Sequence, residues 1–389
     1  MFRVKTLNKI SQVGLVELDQ AKFEVGDAVT NEDGILVRSA AMHDYVFPDT
    51  LRAIARAGAG TNNIPIDRCS EAGIVVFNTP GANANAVKEL AVCAMLVSSR
   101  NILGGSAWVR EQANSGADVA AVVEKGKAAF VGPEIMGKTL GVIGLGAIGV
   151  QVANIATKLG MTVYGYDPFL SVDAALSMSR AVNRALNIDT IYKNCDYITL
   201  HVPLNKDTRN TICEASLEQM RDGVRIINLA RGELVDDDAI IKALDSGKVS
   251  CYVTDFPNNK ITMAKNVVAI PHLGASSPES EDNCAVMAAR QISDYLENGN
   301  IVNSVNLPSV SMEWSGSTRL CIIHRNIPAM LANITTLLSK DNVNVENMMN
   351  KSKGDFAYTV VDVNAEIDGG TIDSIKSIPG ILRVRLLAR

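Results

Sequence analysis

The chain has 389 residues, 47% of them hydrophobic and 20% charged, with a formal net charge of -5. That length supports two or three domains, each with its own core. The acidic balance, without any dense block of lysine and arginine, excludes a protein that grips duplex nucleic acid through its phosphates.

The N-terminal segment alternates short strands and helices. FRVKTL, FEV and GILVRS read as strands, followed by a helix from about Val46 and strands near Ala53 to Ala57 and Gly73 to Phe77. Two of these strands end in donors, Arg38-Ser39 and Arg56-Ala-Gly-Ala-Gly60; a glycine-lined loop exposes N–H groups to a carboxylate. Asn78-Thr-Pro-Gly81 is turn chemistry, and Asn83 or Asn85 can cap a long, mostly apolar helix from about Ala86. The stretch from Asn101 to Phe130 is less regular.

Residues Lys138 to Asp167, KTLGVIGLGAIGVQVANIATKLGMTVYGYD, read as strand, glycine turn, helix and strand. Gly144 permits the turn, Gly146 lets the backbone approach a pyrophosphate, and Gly149 lets helix and strand pack closely. The helix start, through Ala147 and Ile148, offers unpaired N–H groups to phosphates. Asp167 stands 18 residues beyond Gly149, where a carboxylate accepts hydrogen bonds from a ribose and repels a 2′-phosphate, favouring NAD over NADP. Further α/β units follow, with strands at Tyr197 to Val202, Val224 to Asn228, Val249 to Thr254 and Asn266 to Ile270, as a doubly wound parallel sheet requires.

A helical pattern from Ser280 to Asn298 leads away from that sheet; if it packs back on the first segment, the substrate domain is discontinuous. NSVNLPSVSMEWSGSTR reads as a return strand and a linker, with a boundary near Ser315. From Arg319 onward the pattern is βαββαβ, a module of about 70 residues and too small for catalytic machinery of its own. The expected domains are 1–98 with 284–314 for substrate, 99–283 for NAD, and 315–389 for regulation.

Hydride transfer from an alcohol needs a cation for the substrate, a base for the hydroxyl proton and a fixed nicotinamide. Arg231, after the strand ending at Asn228, offers a planar fork for a 2-hydroxy carboxylate. His272 follows another strand in Ile270-Pro-His272-Leu-Gly274, and an imidazole can accept and return a proton near neutral pH. His201, in His201-Val-Pro-Leu, is an alternative base, although Pro203 and Leu204 favour a lining for the cofactor. Asp255 could receive the nicotinamide carboxamide or serve as an N-cap or surface carboxylate. Asn83 and Lys88 are weaker candidates for substrate contact than the strand-end donors.

GLGAIG with Asp167, HVPL, NLARGELVD and PHLG together resemble the D-2-hydroxyacid dehydrogenases, over Arg3 to about Pro308. The resemblance implies a Rossmann-like NAD domain, a flavodoxin-like substrate domain and a phosphorylated 2-hydroxy acid as substrate. It makes Arg231 the carboxylate-binding arginine and His272 the acid/base. It implies cofactor contacts from His201, Val202, Pro203, Thr208, Ala230, Asp255 and Gly274, and substrate contacts from Arg38, Ser39, Gly60 and Asn83, with Arg38 on the phosphate.

The C-terminal module resembles an ACT domain, a ferredoxin-like regulatory fold. That resemblance implies effector contacts from His324, Asn326 and Asn344, with L-serine as effector; Ala329 replaces the glycine usual in that turn. Symmetric homo-oligomers, dimeric or tetrameric, are expected by the same resemblance. One departure stands out. The family places a glutamate between Asp255 and His272 to orient the histidine, and here no glutamate occurs from Thr254 to Pro271. An unphosphorylated substrate, or an NAD-sensing protein without turnover, are the competing readings. The N-terminus has no long apolar run, no uncharged apolar span of membrane length occurs, and seven cysteines form no CxxC or metal-ligand spacing. A cytoplasmic protein without a metal is the expectation.

Overall fold

The computed structural model describes residues 1–388. It divides into two compact units, one of Met1–Asn83 with the chain from Pro278 onward, the other of Ala84–Ser277.

The first unit opens with β1 (Phe2–Leu7), β2 (Phe23–Gly26), β3 (Gly34–Val37), β4 (Ala53–Arg56) and β5 (Val75–Phe77). They form a parallel sheet in the order β2-β1-β3-β4-β5. Covered on both sides, the sheet needs continuous apolar runs, and β3 and β5 are buried throughout. This is the flavodoxin order, whose ligand crevice lies between β1 and β3, where the direction of winding reverses. The helix Pro278–Asn298 places Ala285, Ala288, Ile292 and Tyr295 in one core with Val4, Leu36, Ala55 and Phe77. The helix expected from Val46 is absent. Residues 41–50 form turns instead, because Pro48 lacks an N–H and disfavours the helical region for Phe47.

The second unit carries β6 (Thr139–Ile143), β7 (Thr162–Tyr166), β8 (Val182–Arg184), β9 (Tyr197–Leu200), β10 (Val224–Asn228), β11 (Val249–Thr254) and β12 (Val267–Ala269). All are parallel, in the order β12-β11-β10-β9-β6-β7-β8, the Rossmann arrangement with its reversal between β6 and β9. The helix Ala84–Ser99 starts two residues earlier than its sequence suggests and buries Val87, Ala91 and Met95 against Leu140 and Val142. The stretch after Asn101 is more regular than expected: helices Ile102–Asn114 and Val119–Gly126, capped by Asn101 and Asp118, then a 3-10 turn. Neither helix fully buries a residue; the second keeps Val119, Val122 and Val123 half-buried on one face, while Gly104 and Gly105 weaken the helical signal of the first. No single helix among the described residues is long and apolar enough to cross a membrane.

The first unit ends in an antiparallel sheet of β13 (Thr318–Arg325), β14 (Val345–Lys353), β15 (Phe356–Val363) and β16 (Ile381–Ala388), ordered β14-β15-β13-β16. Helices Met330–Lys340 and Gly369–Lys376 complete βαββαβ. Because strand side chains alternate, Leu320, Ile322, Val361 and Val363 meet the helices through Ile334, Leu338 and Ile375. Cys321, Ile323, Tyr358 and Val360 point the other way, into the core that holds Phe77, Tyr295 and Leu307.

The C-terminal sheet therefore has two apolar faces and shares the core of the first sheet. The expected linker is part of the seam. Its return strand is reduced to isolated bridges, Phe77 to Ser304 and Ile301 to Val310, while Asn306 bonds the backbone of Val76 (2.9 Å) and Ile74 (2.9 Å). Arginines close the seam by donating to the last turn of the helix Pro278–Asn298: Arg385 to Tyr295 O (3.1 Å) and Leu296 O (2.8 Å), Arg319 to Asn298 O (2.9 Å). The negative end of a helix dipole favours cations at that place.

Candidate active site

At the reversal of the seven-stranded sheet, β6 runs into Gly144 with φ at 93°, and a Cβ there would stand 2.5 Å from the His201 carbonyl oxygen. A Cβ on Gly149 would strike Gly144 O at 1.9 Å, so both positions demand glycine. Gly146 is the N-cap of the helix Ala147–Lys158, has no side-chain cap, and has open space where a Cβ would lie. The first N–H groups of that helix, from Ala147 and Ile148 on, thus present an uncovered cradle for phosphates. Asp167, one residue past β7, accepts from the N–H of Leu145 (2.8 Å) and of Phe169 (2.8 Å), which ties the acidic strand end to the turn.

His201 follows β9. Its ring bonds Thr199 Oγ1 (3.0 Å), and although its edge stays partly accessible, burial of the imidazole pushes its pKa down to about 4. The ring is neutral at physiological pH, and it is the His201 carbonyl, with the Val202 side chain, that lies against Gly144. Thr208 closes the following loop by donating to Pro203 O (2.6 Å).

The strand ends of β10, β11 and β12 bring together Arg231, the expected carboxylate clamp, and His272, the expected acid/base. Buried Asn228 donates to Arg231 O (2.8 Å) and accepts from Ala230 N (3.2 Å), bending the chain so that Arg231 stands exposed past the end of β10. Fully buried Asp255 follows β11; its Oδ2 accepts from Gly274 N (3.1 Å), and its Oδ1 has no protein partner. Burial raises its pKa, against the Gly274 N–H and the charges of His272 and Arg231. Phe256 comes next. Its ring centroid lies 4.5 Å from that of His272, and Arg231 Cζ lies 5.6 Å from it. Arg231 and His272, far apart in sequence, thus flank one phenyl ring.

The segment that would carry an orienting glutamate is otherwise engaged: Asn258 caps the short helix Asn259–Thr262, and Lys260 pairs with Asp238. Among the described residues no ion pair involves His272. The uncapped glycine turn and the orphaned Asp255 Oδ1, a buried acceptor or hydroxyl donor suited to a carboxamide, fit a nicotinamide dinucleotide.

Residues 92–274 match the family model described as D-isomer specific 2-hydroxyacid dehydrogenase, NAD binding domain. The D-3-phosphoglycerate dehydrogenase of Haemophilus influenzae is 33% identical, over 84% of this chain and 79% of its own length. That of Escherichia coli is 30% identical, over 96% of this chain and 90% of its own.

The chain belongs to the D-2-hydroxyacid dehydrogenase family. It spans only 64% of the length of another family member, the D-3-phosphoglycerate dehydrogenase of Methanocaldococcus jannaschii, at 33% identity. A crystal structure of NAD+-bound 3-phosphoglycerate dehydrogenase from Entamoeba histolytica superimposes with a TM-score of 0.61 at 27% identity, over 78% of this chain and 98% of that one. NAD is the cofactor of the family's nucleotide domain.

In the first unit, the residues expected to touch substrate follow parallel strand ends. Arg38 and Ser39 come after β3, at the β1–β3 reversal, where Asn8 Oδ1 accepts from Ser39 N (3.2 Å). Arg38 pairs with Glu281 (2.6 Å), and its carbonyl accepts from Arg56 Nε (3.0 Å). Gly60 lies beyond β4, and Asn83 directly precedes the helix at Ala84.

In the C-terminal sheet His324 is buried, with one ring nitrogen on Arg325 O (2.8 Å) and the other on Thr359 Oγ1 (2.8 Å); burial lowers its pKa. Asn326 is exposed just past β13, whereas Asn344 precedes β14 at the other end of the sheet, so one chain does not bring the three together. Sequence reading missed Asn228, Phe256 and Glu281. Asn228 and Phe256 sit beside residues already singled out, at strand ends where ligands collect, and that adjacency was the available signal.

Proposed function

We propose that this chain catalyses the reversible NAD-dependent oxidation of D-3-phosphoglycerate to 3-phosphohydroxypyruvate, the first step of L-serine biosynthesis. The observation that carries the reading is the placement of Arg231 and His272 on one ring beside Asp255, at the strand ends of an NAD-binding sheet. Arg231 holds the substrate carboxylate through its fork and polarises the C2 oxygen. His272 accepts the C2 hydroxyl proton during oxidation and returns it during reduction. NAD, when bound, takes the hydride from C2. Asp255 receives the carboxamide, and Arg38 is the partner assigned to the phosphate, with Ser39, Gly60 and Asn83 beside it.

A second reading, an unphosphorylated 2-hydroxy acid, is favoured by the Arg38–Glu281 pair, which offsets the cation assigned to the phosphate. Turnover of NADH with 3-phosphohydroxypyruvate and with small unphosphorylated 2-oxo acids separates the two. A preference for the phosphorylated acid is expected, and the opposite preference overturns the first reading.

We also propose a homo-oligomer and regulation by L-serine. Helices Ile102–Asn114 and Val119–Gly126, with no buried residue and with Ile102 and Leu103 exposed, support association through the nucleotide unit. The largely exposed edge strand β14 supports side-by-side pairing of C-terminal sheets, the arrangement that would let Asn344 of one copy complement Asn326 of another. Seven free cysteines suit a reducing compartment such as the cytoplasm. Repeating the assay with excess L-serine, alongside light scattering, tests effector and assembly.

A further inference from the structure

We infer that Phe256 is a positioning residue that holds Arg231 and His272 in reactive register, in the place of a carboxylate partner for the imidazole. The inference rests on the hydride-transfer reading above and names the group that this chain uses to orient its base.

Three observations converge on it. From Phe256 to Pro271 the sequence holds no carboxylate, and the nearest one before it, Asp255, spends Oδ2 on Gly274 N–H. The phenyl ring touches both working groups, His272 at 4.5 Å between centroids with a 47° tilt and Arg231 at 5.6 Å. The ring is itself anchored. Phe256 is partly buried, its N–H donates to Thr254 Oγ1 (3.1 Å), and Pro257 restricts its backbone.

The arginine loop packs directly on Phe256: a Cβ on Gly232, the residue following Arg231, would stand 3.6 Å from Phe256 Cβ, ordinary van der Waals contact.

The physics of such a support differs from that of a carboxylate. A phenyl ring accepts no conventional hydrogen bond from the imidazole, so it selects no tautomer; it restricts ring orientation by packing, and its π-face attracts the guanidinium. Support of this kind depends on flat aromatic area and not on charge. One ring against both groups also couples them: releasing it loosens the carboxylate clamp and the proton carrier together.

The test uses the full-length protein with NADH and its preferred 2-oxo acid. Phe256→Leu is expected to lower kcat roughly ten- to a hundredfold, as misplacement of reacting groups does, and to raise KM for the oxo acid. NADH affinity by fluorescence titration and the melting temperature should stay unchanged. Phe256→Tyr and Phe256→Trp should restore most of the rate. If Phe256→Leu turns over within twofold of the parent while His272→Ala is dead, the inference falls and the function stands. If Phe256→Tyr is as slow as Phe256→Leu, the aromatic-area argument falls. If the parent itself oxidises NADH with no 2-oxo acid, the function and the inference fall together.

Discussion

The seven-stranded sheet and the C-terminal sheet use charged residues in opposite ways. In the first, Arg231 and His272 stand beyond strand ends, exposed, with their side chains against one phenyl ring. In the second, Arg319 and Arg385 lie within strands and are almost wholly buried, and Arg319 clasps Asp362 through two bonds of 2.7 and 2.8 Å. The same side chain therefore serves chemistry where the backbone has ended and cohesion where it continues. Changes in the first place should alter rate with little effect on stability, and changes in the second should do the reverse.

The largest test of that contrast is at the strand ends. His272→Ala and Arg231→Gln should each lower kcat/KM about a thousandfold or more, leaving the melting temperature and NADH affinity in place. Arg231→Lys, which keeps the charge without the fork, should recover only part of the loss. Loss of folding in either variant would break the contrast from this side.

Asp362→Asn should act in the other direction, removing about 3–5 kcal/mol of unfolding free energy by stranding a buried guanidinium; urea titration reads it, and turnover of the still-folded fraction should match the parent. Burial alone would raise the Asp362 carboxyl, but the bonds from Arg319 and the N–H of Ser315 outweigh it and hold the group below the ordinary carboxylate range. A depressed native value means that this stability is present above the unfolded carboxyl's pKa of about 3.9 and is lost as pH falls through the lower native one. Acid titration of the parent should show that loss below about pH 4, and Asp362→Asn should flatten it.

The smallest effect lies at the start of the helix Met330–Lys340, where Ala329 is held at φ 64°. Ala329→Gly should raise stability by a few tenths to about 1 kcal/mol, the relief of a left-handed alanine less the extra entropy of glycine. Calorimetry checks it.

Much of the nucleotide unit was readable beforehand because its signals are local. Gly144, Gly146, Gly149 and Asp167 fall within one strand-turn-helix-strand passage, and the strand ends of β10 and β12 announce Arg231 and His272 by apolar runs that stop. The first sheet was legible for the same reason, apart from the helix that Pro48 forbids.

What could not be read depends on which surfaces cover each other. The helices after Asn101 fully bury no residue, and Gly104, Gly105 and Gly116 interrupt the helical pattern there. Arg319 and Arg385 look like solvated strand charges until the helix Pro278–Asn298 is seen to end against them. Phe256 looks like an ordinary loop aromatic until the fold brings together two loops that flank it in sequence.

The double-sided C-terminal sheet has a practical consequence for anyone handling this protein as modules. Cutting at Ser315 to obtain a tail-free enzyme would leave Phe77, Tyr295 and Leu307 facing water, an oily scar on the remaining piece. The severed tail would in turn display Cys321, Ile323, Tyr358 and Val360. Each product would be expected to aggregate rather than behave as an independent cassette.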